Sequence, residues 1–275
     1  LAVGSAAVLA EVLDDDEDTT PPVITLSGNA TMTVELGASF SDPGASADTG
    51  ETVSASGSVN TNQVGSYVIT YTATDSSGNT GTATRIVNVV DTTAPVVTVT
   101  GANPVTVEFG STYTDAGATA SDLSGTVTVS TSGSVNTSQV GSYTITYSST
   151  DSSGNTGTAS RVVNVVDTTA PVVTVTGANP VTVELGATYT DAGATATDLS
   201  GTVTVSTSGT VDTDTVGSYT LTYTSTDASG NSGTATRVVN VVDTTAPVVT
   251  VTGDNPATVE LGATYTDAGA TATDL

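Results

Sequence analysis

Carboxylates are the one reactive group that this chain has in quantity. Its 275 residues include 28 Asp and Glu against three Arg, with no Cys or His, and the formal net charge is −25. Thiol nucleophiles, Ser–His pairs, disulfides and ordinary zinc sites therefore have no residues to form them. Three basic groups cannot neutralise a nucleic-acid backbone or hold an anionic lipid surface, so we expect neither partner. The chemistry that remains is the binding of a hard cation by oxygen ligands.

Aspartate motifs recur along the chain at a fixed step. The segment Asp-Thr-Thr-Ala-Pro begins at Asp91, Asp167 and Asp243, which are 76 residues apart (167 − 91 = 76; 243 − 167 = 76), and a variant begins at Asp18. A second motif, Asp-Ser-Ser-Gly-Asn or Asp-Ala-Ser-Gly-Asn, keeps the same step. Such a period predicts tandem repeats. We predict an apolar and acidic N-terminal segment, three complete repeats and a partial fourth, over residues 1–17, 18–90, 91–166, 167–242 and 243–275.

Each complete repeat is long enough for one small β-sandwich. β-Branched residues dominate, and polar and apolar residues alternate with the period of two that a half-buried strand requires. In the second repeat this alternation places Tyr143, Ile145 and Tyr147 on one face. Six or seven short strands per repeat predict an all-β chain of tandem immunoglobulin-like β-sandwich domains in a linear array. The strands predicted in the second repeat cover residues 96–100, 105–108, 112–120, 126–130, 143–149 and 158–166.

The motifs also resemble those of a known family. The run from Tyr219 to Asn231, followed by Asp-Thr-Thr-Ala-Pro at 243–247, resembles bacterial surface-protein Ig-like repeats. These are relatives of the hyalin-repeat domains and of the Ig-like domain in a pesticidal crystal protein. The resemblance covers nearly everything from residue 18 onward. It implies tandem stacking and an extracellular place at a bacterial cell surface, and it assigns no catalytic residue.

The aspartates are expected to meet where one repeat follows another. In an immunoglobulin topology the loops after the second and sixth strands cluster at the end where the chain enters the domain, which places Asp122 and Asp151 near Asp91. Three such carboxylates repel one another unless a cation joins them. Calcium takes about six to eight oxygen ligands and keeps less of its water than magnesium does. The linker also resembles the acidic, proline-ended linkers of calcium-stiffened cadherin-like arrays.

We therefore predict a calcium site at each junction. An alternative stays open, in which these aspartates only cap hairpin turns whose Gly or Asn takes positive φ. The spacing follows neither the EF-hand nor the nonapeptide calcium pattern. The predicted ligands are Asp91, Asp122, Asp151, Asn155, Asp167, Asp198, Asp227, Asn231, Asp243 and Asp274.

Two further residue types recur once in each repeat. Val-Gly-Ser-Tyr motifs end at Tyr67, Tyr143 and Tyr219. They resemble the tyrosine corner of Ig sandwiches, in which the phenol bonds to upstream backbone. The three arginines lie in the last predicted strand of each repeat, where we predict a cross-strand ion pair with a glutamate such as Glu108 or Glu184. These arginines are Arg85, Arg161 and Arg237.

The two ends carry separate expectations. Residues 1–10 form an apolar run that is too short to span a membrane and that resembles the end of a signal-peptide hydrophobic region. A short element that packs on a neighbour is the alternative. Residues 243–275 supply only the first strands of a sandwich. We expect the array to continue beyond them, and completion by strand addition from another chain is the alternative.

The function that these features favour is structural. We expect an extracellular rod or filament of stacked Ig-like domains, with junctions stiffened by calcium, that is adhesive or load-bearing and not an enzyme. Two alternatives remain: a carbohydrate-binding accessory region of a larger secreted protein, and a subunit that polymerises with copies of itself. The expected partners are neighbouring repeats, other copies of the chain, and a surface receptor or glycan of unknown kind.

Overall fold

The computed structural model describes residues 17–274, and over this range the regular structure consists of β-strands alone. The all-β prediction is therefore confirmed. The apolar run at residues 1–10 lies outside the described residues, as does Leu275. Among the described residues no helix is long and apolar enough to cross a bilayer.

Twenty strands follow one another in four similar sets. The first set is β1 (Ile24–Leu26), β2 (Thr31–Glu35), β3 (Ala45–Ala47), β4 (Ser54–Ser56), β5 (Gly65–Thr74) and β6 (Thr80–Val90). The second is β7 (Val96–Val99), β8 (Val105–Glu108), β9 (Ala118–Ser121), β10 (Val129–Ser132), β11 (Gly141–Thr150) and β12 (Thr156–Val166). The third is β13 (Val172–Val175), β14 (Val181–Glu184), β15 (Ala194–Thr197), β16 (Val205–Ser208), β17 (Gly217–Thr226) and β18 (Ser232–Val242). The last holds β19 (Val248–Val251) and β20 (Ala270–Thr273).

Each complete set forms one two-stranded and one four-stranded sheet. In the first set the orders are β1-β3 and β2-β6-β5-β4, and the second and third sets repeat them with their own strands. The long strands β5 and β6 form an antiparallel hairpin, whereas β2 runs parallel to β6 and pairs Glu35 with Val90. This parallel pairing brings the end of an early strand beside the point where the chain leaves the repeat. The last set has only the pair β19-β20.

The chain divides into two compact units by its internal contacts. The first combines the described residues up to Asn103 with Asp115–Gly133 and Ile145–Arg161. The second combines Pro104–Thr114, Ser134–Thr144 and the residues from Val162 onward. The first unit therefore contains the linker that follows β6, and the second contains the linkers that follow β12 and β18. The predicted boundaries of the five sequence segments stay a prediction.

The core follows the predicted alternation. In β11, Ile145 and Tyr147 are buried and Tyr143 on the same face is half-buried, as expected, while the intervening Thr and Ser side chains lie on the other face. In the first unit Ile69, Tyr71 and Val87 form the centre of the corresponding core. Apolar burial of this kind contributes about 25 cal/mol per Å² and is what holds each small sandwich together.

The arginines lie in this core, so the predicted Arg–Glu pairs are wrong. Arg85 is fully buried, pairs with Asp42 and donates to the Ser27 and Asn29 carbonyls. Arg161 and Arg237 pair in the same way with Asp115 and Asp191. The physical reason is strand parity, because each arginine shares the inward face with the valines two and four residues later.

A buried tyrosine completes each arginine pair. The Tyr71 hydroxyl donates to Asp42 Oδ1 at 2.6 Å, and the Arg85 guanidinium lies 5.5 Å from the centre of its ring. Burial, followed by the hydrogen bond to Asp42 and the charge of that carboxylate, raises the pKa of Tyr71 to about 12. Burial alone would raise the pKa of Asp42, but bonds from Tyr71 and the Gly44 amide and the charge of Arg85 lower it. The network is a neutralised, hydrogen-bonded polar centre.

The tyrosine-corner prediction is confirmed. The hydroxyls of Tyr67, Tyr143 and Tyr219 each donate to a backbone carbonyl four residues upstream, at 2.9, 2.9 and 2.8 Å. These rings are half-buried, and the fully buried tyrosines are those four residues later in the same strands. Two strand predictions are wrong over most of their length, because the strand predicted at 112–120 begins only at Ala118 and the one predicted at 126–130 begins only at Val129. Residues 112–117 form no strand, and within them Asp115 contacts Arg161 and Tyr147.

Candidate metal centre at the repeat junctions

The turn between β11 and β12 fixes one carboxylate. The Asp151 amide donates to the Asn155 carbonyl at 3.1 Å, and Gly154 takes a φ of +91°, which favours glycine. Asp151 Oδ1 accepts the Ser153 and Asn155 amides, both at 2.9 Å. Burial alone would raise the pKa of Asp151, but these bonds and the Asn155 side chain lower it. The aspartate does cap its turn, and the cap keeps it ionised and in one place.

Asn155 ties this turn to the preceding linker. Its side-chain nitrogen donates to the Asp91 carbonyl at 3.0 Å and to Asp151 Oδ2 at 2.8 Å. The amide nitrogen therefore faces the Asp151 carboxylate and the Asp91 carbonyl, and Asn155 and its counterpart Asn231 act as structural links here. Their predicted role as ligands stays a prediction.

The loop after β9 supplies the next carboxylate. Asp122 Oδ1 accepts the Ser124 amide at 2.8 Å and the Ser124 hydroxyl at 2.5 Å, and Asp122 forms an isolated bridge with Gly125. The adjacent Leu123 lies against the first repeat, since a Cβ added to Gly37 would stand 2.5 Å from Leu123 Cδ2. The loop therefore places Asp122 at the junction, and the adjacent Leu123 contacts the preceding repeat.

Asp91 completes a cluster of three. One carboxylate oxygen each from Asp91, Asp122 and Asp151 lies within 4.8 Å of the other two, which confirms that they meet, although Asp122 and Asp151 follow the third and fifth strands of the repeat and not the second and sixth. Asp91 is only 8% exposed. Its Oδ1 accepts the Thr93 amide at 3.1 Å, whereas its Oδ2 is buried and has no hydrogen-bond partner among the described residues. A buried carboxylate oxygen without a donor is costly, and a bound cation would satisfy it.

The second unit contains the same cluster. Asp167, Asp198 and Asp227 bring one oxygen each within 4.8 Å of one another. The Ser229 and Asn231 amides donate to Asp227, just as the Ser153 and Asn155 amides donate to Asp151. Burial would raise the pKa of Asp227, and the bonds from Asn231, Ser229 and Gly230 lower it. One difference is that the Ser229 hydroxyl lies 3.3 Å from Asp167 Oδ2. The arrangement is thus built twice from the same motifs.

The other predicted ligands are not part of such a cluster. Asp243 and Asp274 are exposed, and among residues 17–274 they form no group of three carboxylates. Their role as ligands stays a prediction. Where the chain enters the first repeat, the Asn79 side chain also donates to the Asp18 carbonyl and to Asp75. Asp48, however, accepts the Val23 amide at 2.8 Å, and in the described range Asp18 and Asp75 form no group of three carboxylates.

Glu108 and Glu184, which were predicted to pair with arginines, instead bind the linkers, and Glu35 does the same. Glu35 accepts the Thr92 amide at 2.8 Å, the Thr92 hydroxyl at 2.9 Å and the Thr93 hydroxyl at 3.0 Å. The Thr92 amide, followed by its hydroxyl and then Thr93, lowers the pKa of Glu35. Glu108 and Glu184 do the same for the next two linkers. Glu108 and Glu184 are 76 residues apart and Glu35 lies 73 residues before Glu108, and this recurrence was the signal in the sequence.

The donor set fits a hard cation. Each cluster offers three carboxylates within a small volume. One of them belongs to a buried residue of the linker, and the other two belong to two loops of the following repeat. Calcium and magnesium both prefer oxygen ligands, and calcium tolerates irregular geometry. The arrangement could join linker and repeat through one ion.

Comparison with known families identifies the class of these repeats. Residues 24–89, 97–165 and 173–241 each match the family described as bacterial surface protein, Ig-like domain. The matches cover most of the chain, which therefore belongs to this family, as its motifs indicated. Domains of this family are typically structural and non-catalytic.

Two curated proteins are similar over part of the chain. Hyalin of Strongylocentrotus purpuratus and hyalin of Lytechinus variegatus are each 43% identical over an alignment of 96 residues, and the match covers 30% of this chain. The matched part spans 8% and 18% of those proteins, so the chain corresponds to a small part of either.

Solved structures give a more distant likeness. Protocadherin gammaB7 EC3-6 is 19% identical with a TM-score of 0.32, over 83% of this chain and 75% of that one. Mouse cadherin-23 EC22-24 is 12% identical with a TM-score of 0.30, over 81% of this chain and 99% of that one.

Proposed function

We propose that this chain is a structural or adhesive segment of a bacterial cell-surface protein in which calcium joins successive Ig-like repeats. The single observation that carries the proposal is the cluster of Asp91, Asp122 and Asp151, with Asp91 Oδ2 buried and unpaired among the described residues. Family membership supports the surface location. The three arginines are held in the core by their aspartates, which supports a role without catalysis.

Electrostatics favour a cation at this point. Like charges on carboxylate oxygens within 4.8 Å of one another repel, and the cluster contains three such pairs. Hydrogen bonds from Asn155 and from the turn amides lower the pKa of Asp151, which favours its ionised form. A divalent cation would turn this repulsion into attraction. Calcium suits the site better than magnesium, which retains its water.

Cation binding would have a mechanical consequence. Asp91 belongs to the linker, whereas Asp122 and Asp151 belong to the repeat that follows it. Leu123, next to Asp122, already contacts Gly37 of the preceding repeat. An ion shared by the three carboxylates would restrict bending at the linker, and a series of such junctions would behave as a stiff rod. Without the ion the same charges would push linker and repeat apart.

The test is calcium titration of the full chain, followed by thermal melting and by small-angle scattering. The Asp91→Asn and Asp167→Asn variants each remove one cluster while leaving an Oδ1 to accept the linker amide. We expect calcium at about one hundred times its Kd to stabilise the wild type by about 2.7 kcal/mol per linked site, with roughly half the response in each single variant and none in the double variant.

The matched control is Asp75→Asn, because Asp75 caps the equivalent turn but belongs to no carboxylate cluster among the described residues. It should retain the full calcium response. A wild-type chain whose melting temperature and scattering profile are the same in excess calcium and in chelator would refute the proposal. So would a double variant that responds as the wild type does.

A further inference from the structure

The linkers are also attached at their other side, to the repeat that precedes them. Glu35 pairs with Val90 at the end of the parallel strands β2 and β6, and the Leu36 amide donates to the Val90 carbonyl at 2.7 Å. The Glu35 side chain therefore starts beside Val90, which is the last residue before the linker. From there it reaches Thr92 and Thr93, where one carboxylate accepts three hydrogen bonds.

This attachment recurs wherever a linker follows a complete repeat. Glu108 accepts the Thr168 amide at 2.8 Å, the Thr168 hydroxyl at 2.9 Å and the Thr169 hydroxyl at 3.0 Å. Glu108 pairs with Val166 as Glu35 does with Val90. Hydrogen bonds to an ionised carboxylate are among the stronger ones in proteins, and here a backbone amide and two hydroxyls share it.

The third linker shows that the attachment does not depend on a carboxylate cluster. Glu184 accepts the Thr244 amide and hydroxyl, both at 2.7 Å, and the Thr245 amide and hydroxyl at 3.1 and 3.0 Å. Asp243 in the same linker is exposed and belongs to no three-carboxylate group within residues 17–274. The glutamate bonds are nevertheless complete.

We propose that Glu35, Glu108 and Glu184 are positioning residues that hold each linker on the preceding repeat without any cation. The linkers that follow β6 and β12 then have two separate attachments, a glutamate on the side of the repeat before and, under the proposed function, a cation on the side of the repeat after. Removal of calcium would release only the second. The inference goes beyond the proposed function, because it requires no bound metal.

Amide hydrogen exchange of the full chain, in calcium and in chelator, tests this directly at the Thr92 amide. Glu35→Ala should lower the protection of that amide by about tenfold or more in both conditions, as expected for loss of a charge-assisted bond. Its calcium affinity should stay within about twofold of the wild type. Asp91→Asn should do the reverse, losing the half of the calcium response that comes from its own cluster while Thr92 stays protected.

Glu35→Gln is the conservative variant, since its side-chain oxygen can accept the same amide, and it should restore most of the protection. The Val87 amide in the core reports whether the repeat is still folded, and Glu184→Ala with Thr244 as readout repeats the test where no cluster was found. The inference is overturned if Glu35→Ala leaves Thr92 protected, or if chelator alone removes the protection. One further outcome separates the two proposals. If the wild type shows no response to calcium while Glu35→Ala lowers the protection of the Thr92 amide, the proposed function is refuted and this inference is supported.

Discussion

Arg161 Nε lies 3.1 Å from Asp115 Oδ1, and only 1% of the arginine side chain is exposed. The same nitrogen donates to the Tyr147 hydroxyl at 3.0 Å, and the guanidinium also donates to backbone carbonyls of Thr100 and Gly117. Arg85 and Arg237 are buried to the same extent, so the three basic side chains of this protein lie inside its repeats. They stabilise each sandwich and leave the junction carboxylates without a basic partner.

Removal of the charge on Asp115 should destabilise the second repeat. Asp115→Asn leaves a buried guanidinium without its counter-ion, and we expect a loss of about 3 kcal/mol. Urea unfolding measures it. The control is Asp214→Asn, an exposed aspartate in a turn, which should change stability by less than about 0.5 kcal/mol. Equal effects of the two variants would show that the Arg161 pair contributes nothing special.

Two buried serines should be replaceable with a gain in stability. Ser149 and Ser225 are 2% and 1% exposed, and their hydroxyls have no partner among the described residues. The first repeat has Ala73 at the equivalent place, also 2% exposed. Because an unpaired buried hydroxyl costs about 1 kcal/mol or more, Ser149→Ala should raise the free energy of unfolding by about that amount. The reverse change, Ala73→Ser, should lower it, and a loss of stability in Ser149→Ala would contradict the prediction.

One glycine lets the linker approach the sandwich. A Cβ on Gly157 in β12 would lie 1.8 Å from the carbonyl oxygen of Pro95, and the backbone would have to move. We expect Gly157→Ala to cost about 3 kcal/mol in a thermal or urea unfolding experiment. Gly141→Ala in β11 is the matched control, because its Cβ would lie 3.8 Å from the Tyr143 ring, an ordinary contact. A tolerated Gly157→Ala would mean that the Pro95 contact yields easily.

The glutamate attachments should weaken in acid. Bonds from Thr168 lower the pKa of Glu108 below its usual value, so the folded state binds its proton less well than the unfolded state. Its contribution is therefore full above a pH of about 4.5 and is lost as the pH falls through the lowered value. The stability difference between wild type and Glu108→Gln should shrink from pH 7 to pH 3 in urea titrations. A difference that is constant over this range would show that the charge of Glu108 does not contribute.

Much of the fold and part of the candidate metal centre could be predicted from the sequence. The repeat period, the all-β class, the tyrosine corner and the meeting of Asp91 with Asp122 and Asp151 all follow from local motifs spaced at a constant step. They are predictable because strand alternation and turn chemistry act over a few residues, and because a repeated sequence repeats its fold.

The tertiary structure alone decided which partners distant residues would find. The glutamate at the end of β2 binds the linker because β2 runs parallel to β6, and that register is a pairing of strands far apart in the chain. Strand parity puts the arginines on the inward face, but the counter-ion that each one meets is decided by which aspartate the packed sheets bring to it. Whether a carboxylate oxygen such as Asp91 Oδ2 is left without a donor depends on every element packed around it, and no local motif encodes that.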